Sequence, residues 1–75
     1  MNEMTSQSLR DAWSTVLDLD VGPATDFFVS GGDSLAIAEL QALLKDEFGI
    51  PFRNSDLLQN STLQSFYDNV VKPWA

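Results

Sequence analysis

The chain contains no cysteine and no histidine among its 75 residues. Without cysteine it forms no disulfide and offers no thiolate as a nucleophile or metal ligand, so an apolar core must hold the fold together. Without histidine it lacks the imidazole that serves most often as a catalytic base or metal ligand, and we expect no metal site. A chain of this length forms one small domain, which argues against a self-sufficient enzyme.

Basic residues and long apolar runs are also scarce. Four lysines and arginines stand against eleven acidic residues, for a net charge of −7. Phosphate backbones and anionic lipid repel such a chain, whereas basic protein surfaces attract it. The longest apolar run covers only residues 35–38, and residues 1–8 lack the basic start and apolar core of a signal peptide. We therefore expect a cytoplasmic protein that binds neither nucleic acid nor membrane.

Helical periodicity predicts four helices and no strand. Apolar residues recur at helical spacing over about residues 7–17, 34–48 and 61–73, and a shorter helix is expected near residues 54–58. Between the first two helices, residues 19–33 contain glycine and proline but show no periodicity, which predicts a long ordered loop. The predicted fold class is all-α, a small four-helix bundle with three longer helices and one short helix.

Helix caps and core residues follow from the same pattern. The expected caps are Thr5 or Ser6 for the first helix, Asp33 or Ser34 at the start and Gly49 at the end of the second, and Asn60 or Ser61 for the last. The expected core residues are Trp13, Val16, Leu17, Ile37, Leu40, Leu44, Phe48, Phe66 and Val70. At least one of Phe27 and Phe28 is expected to pin the long loop onto this core.

Two glycines, a carboxylate and a hydroxyl meet at the start of the second helix, in residues 31–35, Gly-Gly-Asp-Ser-Leu. One interpretation is structural: the glycines make a turn, and Asp33 or Ser34 caps the helix. A second is enzymatic, because Gly-Asp-Ser-Leu is the signature of the GDSL hydrolases. That interpretation fails because a nucleophilic serine needs an adjacent base, and the histidine that serves this purpose in that family is absent here. The third interpretation is that another enzyme modifies Ser34.

An attached anion suits the position of Ser34. The first turn of a helix presents unpaired N–H groups and the positive end of the helix dipole, so a phosphodiester on Ser34 would be stabilised. Gly31 and Gly32 would let another protein's active site approach the hydroxyl closely, and the acidic surroundings would suit a basic partner.

Residues 26–35, with the sequence D-F-F-V-S-G-G-D-S-L, resemble the attachment loop of the phosphopantetheine-bearing carrier domains. The resemblance is closest to the peptidyl carrier (thiolation) domains of nonribosomal peptide synthetases, and it covers about residues 6–71. Residues 9–19 resemble the family's first helix, and residues 56–63 resemble its third helix and the start of the fourth. Matching positions along the second helix are Ile37, Leu40, Leu44, Phe48 and Gly49.

The resemblance implies that Ser34 receives 4′-phosphopantetheine from coenzyme A through a phosphopantetheinyl transferase, within an attachment loop that includes Gly31, Gly32 and Asp33. The carrier itself is then non-catalytic, and the arm's thiol carries an aminoacyl or peptidyl group as a thioester. The implied partners are the adenylation, condensation and tailoring or release domains of a synthetase. We accordingly expect residues 1–75 to form a single, monomeric carrier domain with its core at about residues 6–71.

Three positions depart from the family pattern and leave the subtype open. Ser30 stands where a leucine usually anchors the loop, so Val29 or Phe28 is expected to replace that anchor. Ser61 replaces a proline before the last helix, and Asp33 stands where many peptidyl carriers have histidine. The alternatives are an acyl carrier domain of a polyketide synthase or carboxylic acid reductase and, in a different class, an acidic helical interaction module with no prosthetic group.

The second helix has an apolar side that faces away from the expected core. At about 100° per residue, Leu35, Ala38 and Ala42 lie nearly opposite Leu40. If Leu35 does not contact a partner, it is an isolated surface leucine. For Asp46, farther along the same side, a solvated helix face is the better interpretation. The residues predicted to dock partner domains are Leu35, Ala38, Glu39, Ala42 and Val29.

Overall fold

The computed structural model describes residues 3–74, so the outermost residues of the predicted domain, 1, 2 and 75, lie outside it. The four helices are α1 (Ser6–Leu17), α2 (Ser34–Phe48), α3 (Asn54–Gln59) and α4 (Leu63–Phe66). The described residues contain no strand, only an isolated antiparallel bridge. The predicted all-α, four-helix fold with a long first loop is confirmed. Across residues 3–74, no helix has the length and apolar character needed to cross a membrane.

Helix α1 begins and ends at residues that satisfy its free backbone groups. Thr5 is the N-cap, because its hydroxyl accepts a hydrogen bond from the Ser8 amide at 3.1 Å. At the other end, Asp18 adopts a left-handed conformation with φ of 56°, which stops the helix at Leu17, earlier than the family resemblance suggested. Leu9, Ala12 and Trp13 are buried, whereas the expected core residues Val16 and Leu17 are only partly buried.

Helix α2 presents a slightly different face to the core than its sequence predicts. Leu40 and Leu44 are fully buried as expected, and Ala36, which was not expected in the core, joins them. Ile37 and Phe48 lie at the edge of the buried face and are only partly covered. The buried stripe therefore follows i, i+4, i+8 from Ala36, a rotation of about 45° from the predicted arc. Gly49, with φ of 68°, ends the helix as predicted.

The last helical segment is not the uniform α-helix that the periodicity predicts. Helix α4 continues into a wider π turn, Tyr67–Val71, and then a 3₁₀ turn, Lys72–Trp74. Both Val70, as predicted, and Val71 are buried in this wider turn, next to the fully buried Phe66. The predicted caps, Asn60 and Ser61, are wrong, because the hydroxyl of Thr62 accepts the Ser65 amide at 3.3 Å.

Aromatic side chains join the helices and the long loop at the centre of the core. The ring of Trp13 lies 5.1 Å from Phe27 and 5.8 Å from Phe66, and Phe52 meets Phe66 edge to face at 5.1 Å. Such edge contacts stabilise beyond the area that they bury. Phe27 is fully buried, which confirms that this loop residue pins the long loop onto the core.

Candidate functional site

Ser34 is the first residue of α2, and its side chain is exposed. The capping role belongs to Asp33, whose carboxylate accepts the Ala36 amide at 2.9 Å and whose carbonyl accepts the Ile37 amide at 2.9 Å. Within residues 3–74 the Ser34 hydroxyl takes part in no hydrogen bond. Helix capping therefore explains the role of Asp33 but not that of Ser34, whose hydroxyl is free to be modified.

The backbone around Ser34 fits an attached phosphodiester. Of the amides at the start of α2, Asp33 occupies those of Ala36 and Ile37. In the described part of the chain, the amides of Ser34 and Leu35 have no acceptor. Two free donors at the positive end of a fifteen-residue helix are a suitable environment for an anion bonded to the Ser34 oxygen.

The two glycines before Asp33 serve different purposes. Gly31 has φ of +100°, a conformation that side chains rarely adopt, and the space above it is open. At Gly32 the restriction is steric: a Cβ would overlap the ring of Phe27 and would lie 2.6 Å from the Phe27 carbonyl oxygen. The Gly32 amide donates to that carbonyl at 2.8 Å. Gly32 thus lies directly on the buried Phe27, whereas the space above Gly31 is open.

Asp26 organises the loop from its other end. One carboxylate oxygen accepts the amides of Phe28 at 2.9 Å and Val29 at 3.0 Å, and the other accepts the Ser61 hydroxyl at 2.7 Å. The Val29 amide and the Ser61 hydroxyl, with a smaller contribution from the Phe28 amide, hold the pKa of Asp26 below its ordinary value of 3.8, while desolvation opposes them. Asp26 was not among the site residues predicted from the sequence. An aspartate at the start of a loop is a recognisable signal for a turn in which its carboxylate accepts amides two and three positions later. The contact with Ser61 has no such signal in the sequence, because Ser61 lies 35 residues away.

The structure decides between the two replacements proposed for the missing leucine anchor. Phe28 packs against the core, with its ring 5.7 Å from Phe27. Val29 is 87% exposed and anchors nothing, so its expected role as an anchor is wrong. That exposure leaves Val29 free for the other role predicted for it, contact with a partner domain.

The exposed side of α2 contains four of the five residues predicted to contact partners. These residues are Leu35, Ala38, Glu39 and Ala42, and all four are exposed. Their spacing of i, i+3, i+4 and i+7 places them on one face of the helix, with Leu35 at 67% exposure. The fifth, Val29, lies in the loop, and Asp46 is exposed farther along α2.

The charged residues of the attachment loop and the first turns of α2 are all acidic. Residues 26–39 contain three carboxylates, Asp26, Asp33 and Glu39, and no lysine or arginine. The next cation along the chain is Lys45, which a rise of about 1.5 Å per residue places about 16 Å from Ser34 along α2. A partner that contacts residues 26–39 therefore meets carboxylates, which favour basic side chains on the partner.

These features define a helical domain with an exposed serine hydroxyl at the start of its second helix, next to a glycine-rich loop. The family of the phosphopantetheine attachment site matches residues 7–70, which is most of the chain. The chain therefore belongs to the phosphopantetheine-binding carrier domains, a non-catalytic family whose members attach 4′-phosphopantetheine covalently and are found within multidomain synthetases. An acidic interaction module without a prosthetic group does not agree with this membership.

Curated relatives are much longer than this chain. A polyketide synthase-related protein, Dhc1, of Alternaria cinerariae is 41% identical over 61 residues, which cover 76% of this chain and 13% of the relative. The hybrid PKS-NRPS synthetase traA of Penicillium crustosum is 37% identical over 71 residues, covering 88% of this chain and 2% of the relative. The chain thus corresponds to a small part of these large proteins.

A solved structure shares the fold. BlmI, a type-II acyl-carrier-protein from Streptomyces verticillus involved in bleomycin biosynthesis, superposes with a TM-score of 0.80 at 22% identity. The match covers 93% of this chain and 86% of the other. At that identity the likeness concerns the fold, which is that of a carrier protein.

Proposed function

We propose that Ser34 is the residue that receives 4′-phosphopantetheine, and that a phosphopantetheinyl transferase supplies it from coenzyme A. The observation that carries this proposal is the exposed Ser34 hydroxyl, which Asp33 relieves of any capping role. In the transfer, the Ser34 oxygen attacks the phosphorus that bears pantetheine, the bond from that phosphorus to adenosine 3′,5′-bisphosphate breaks, and the serine proton passes to a base on the transferase. The product is a phosphodiester on Ser34.

The neighbouring residues support the modified serine in distinct ways. The free amides of Ser34 and Leu35 stabilise the negative charge of the phosphodiester. The open space above Gly31 admits the transferase, and Asp33 keeps the first turn of α2 formed. The attached group supplies the thiol on which a thioester is built, which the cysteine-free chain cannot provide.

The loaded domain carries aminoacyl or peptidyl thioesters between the catalytic domains of a nonribosomal peptide synthetase. The hybrid PKS-NRPS relative of similar sequence supports this assignment. The partners would be adenylation, condensation and tailoring or release domains, and tethering raises the concentration of the carried group at each of them. We further propose that residues 1–75 act as one monomeric carrier domain with its core at about residues 6–71, which agrees with the family match at residues 7–70.

The outer face of α2 and Val29 form the surface that these partners contact. Leu35 supplies an exposed apolar side chain directly after Ser34, and Glu39 supplies a carboxylate one turn farther on. An apolar contact flanked by acidic residues fits a partner whose surface combines an apolar patch with basic side chains.

A second function within the same family is that of an acyl carrier in polyketide synthesis. The relative of 41% identity is related to polyketide synthases, and the hybrid relative contains both kinds of machinery. Nothing in the chain favours carriage for a carboxylic acid reductase.

Loading of the modified protein separates these two functions. The holo protein is offered, in parallel, an excised adenylation domain with ATP and its amino acid and an excised acyltransferase domain with malonyl coenzyme A, both from a hybrid relative. We expect a mass increase of an aminoacyl group, and none with Ser34→Ala. A malonyl increase alone would assign the chain to polyketide synthesis instead.

A further inference from the structure

The attachment loop is fastened to the start of α4 as well as to the core. Three backbone hydrogen bonds join the long loop that contains it, residues 19–33, to Ser61 and to the first two residues of α4. These run from the Phe27 amide to the Ser61 carbonyl at 2.7 Å, from the Leu63 amide to the Thr25 carbonyl at 3.0 Å and from the Gln64 amide to the Pro23 carbonyl at 3.0 Å. One side-chain hydrogen bond joins the same two segments, from the Ser61 hydroxyl to Asp26 at 2.7 Å.

A short series of contacts leads from Ser61 to Ser34. The Asp26 carboxylate, which accepts the Ser61 hydroxyl, also accepts the amides of Phe28 and Val29. These hydrogen bonds fix the turn that follows Asp26. Within this turn, the carbonyl of Phe27 accepts the amide of Gly32 at 2.8 Å.

The residue after Gly32 is Asp33, the N-cap of α2, and Ser34 follows it. A shift of the turn at Asp26 would therefore move the chain immediately before Ser34.

We propose that Asp26 and Ser61 are positioning residues for the modification of Ser34: the hydrogen bond between them holds the attachment loop against the start of α4 and so orients the Ser34 hydroxyl for transfer. This inference rests on the proposed function of Ser34. Neither residue touches the transferred group, and both act through the loop backbone.

Ser61 offers a clean way to remove this one contact. Its hydroxyl has Asp26 as its partner, and α4 is capped by Thr62, so loss of the hydroxyl leaves the helix cap intact. The backbone hydrogen bond from Phe27 to the Ser61 carbonyl also survives any side-chain change. Ser61→Ala therefore removes the side-chain hydrogen bond alone, and Ser61→Thr keeps a hydroxyl at the same place.

The kinetic signature separates positioning from binding. We expect the transferase to contact the outer face of α2, as proposed for the other partners, and Ser61→Ala changes no side chain on that face. Loss of orientation reduces the rate of the bound complex, whereas loss of contact raises KM. A purely structural role would lower the melting temperature and leave kcat unchanged at temperatures where the variant is folded.

The experiment measures kcat and KM for transfer of phosphopantetheine from coenzyme A by one permissive transferase, well below each variant's melting temperature. We expect Ser61→Ala to lower kcat roughly tenfold with KM nearly unchanged. Asp26→Asn should lower kcat less, because the amide oxygen still accepts the loop amides and the amide N–H groups donate to Ser61, and the double variant should be no slower than Ser61→Ala. Ser61→Thr should restore the wild-type kcat. Asp56→Asn is the matched control, because Asp56 makes a similar contact elsewhere, accepting the Arg53 amide at 2.8 Å.

A folded Ser61→Ala protein with the wild-type kcat would overturn the proposal, as would a change confined to KM or equal losses in Ser61→Ala and Asp56→Asn. If Asp26→Asn does not fold, the pair Ser61→Ala and Ser61→Thr still decides the question. A wild-type protein that no transferase modifies would overturn the assignment of Ser34 itself and this inference with it. Modification of the wild type together with unimpaired Ser61→Ala would overturn this inference alone.

Discussion

The two faces of α2 are made of similar residues and meet opposite surroundings. Leu40 and Leu44 on the inner face are fully buried, while Leu35 on the outer face is 67% exposed. Burial of a leucine side chain stabilises the fold by about 1.5–3 kcal/mol, whereas an exposed leucine contributes little to stability. The difference indicates that the inner face of α2 serves the fold and that the outer face is available for partners.

Ser34 lies at the start of α2, next to both the buried inner face and the exposed outer face. The helix that presents it is held by its inner face, and the loop before it is held by Phe27 underneath. Asp33 fixes the first turn between the two. Ser34 is thus exposed at a helix start whose neighbours on both sides are buried or hydrogen-bonded.

The largest effect is expected on the inner face. Leu40→Ala should lower the free energy of unfolding by about 2–5 kcal/mol, because it leaves a cavity among fully buried side chains. Such a loss approaches the total stability of a small domain. Chemical denaturation, followed by circular dichroism, measures it. A variant as stable as the wild type would mean that the inner face of α2 does not support the core.

A smaller loss is expected where the loop rests on the core. Gly32→Ala should cost about 1–3 kcal/mol, because the added methyl group overlaps the Phe27 ring and displaces it from Trp13. Near-ultraviolet circular dichroism should report the altered surroundings of Trp13.

Gly31→Ala is the control for this substitution. Its cost of about 1–3 kcal/mol comes from backbone strain, since the space around Gly31 is open. The aromatic spectrum of Gly31→Ala should match the wild type. Equal spectral changes in both variants would contradict the contact between Gly32 and Phe27.

The outer face should show almost no effect on stability. Leu35→Glu is expected to change the free energy of unfolding by less than about 0.5 kcal/mol, because the side chain is exposed. Phosphopantetheinyl transfer should become roughly tenfold less efficient through a higher KM, since a charge would be buried against an apolar patch of the transferase.

Leu58→Glu is the matched control, because Leu58 on α3 is 66% exposed and receives the same substitution. We expect its kinetics to stay close to the wild type. An unfolded Leu35→Glu protein would assign Leu35 to the core, and unchanged kinetics would make it an ordinary surface leucine.

The smallest expected effect concerns pH and the fastening of the loop. The pKa of Asp26 is lower in the folded chain than its ordinary 3.8, chiefly because the Val29 amide and the Ser61 hydroxyl donate to it. The stability that the ionised group contributes is therefore complete above about pH 4 and is lost as the pH falls through the lowered pKa. The difference in melting temperature between the wild type and Asp26→Asn should therefore become smaller as the pH falls below about 4. A difference that is constant with pH would contradict the role of the charge.

Most of the fold could be predicted from local patterns. The bounds of α2 follow from Asp33, Gly49 and the apolar spacing between them, all of which act within a few residues. The π turn at Tyr67–Val71 could not be predicted, because it depends on how Val71 packs against the rest of the core. The burial of Ala36 was missed for a similar reason, since a small side chain reveals its face only when a neighbouring element covers it.

The candidate site divides in the same way. Ser34, the glycines and the exposed face of α2 could be predicted because they are contiguous or regularly spaced. The Asp26–Ser61 hydrogen bond joins residues 35 positions apart, and the tertiary fold alone brings them together. The choice of Phe28 over Val29 as the loop anchor likewise depends on which side chain the folded loop turns inward.

Every role proposed for the loop and for α2 depends on the assignment of Ser34 as the attachment residue of this carrier domain. The most direct test incubates the wild type and Ser34→Ala with coenzyme A, magnesium and a permissive phosphopantetheinyl transferase, and then determines the intact mass of each. This assignment predicts one added phosphopantetheinyl group on the wild type, which peptide mapping locates at Ser34, and none on Ser34→Ala. A wild type that several transferases leave unmodified, or a Ser34→Ala protein that still gains the group, would contradict it.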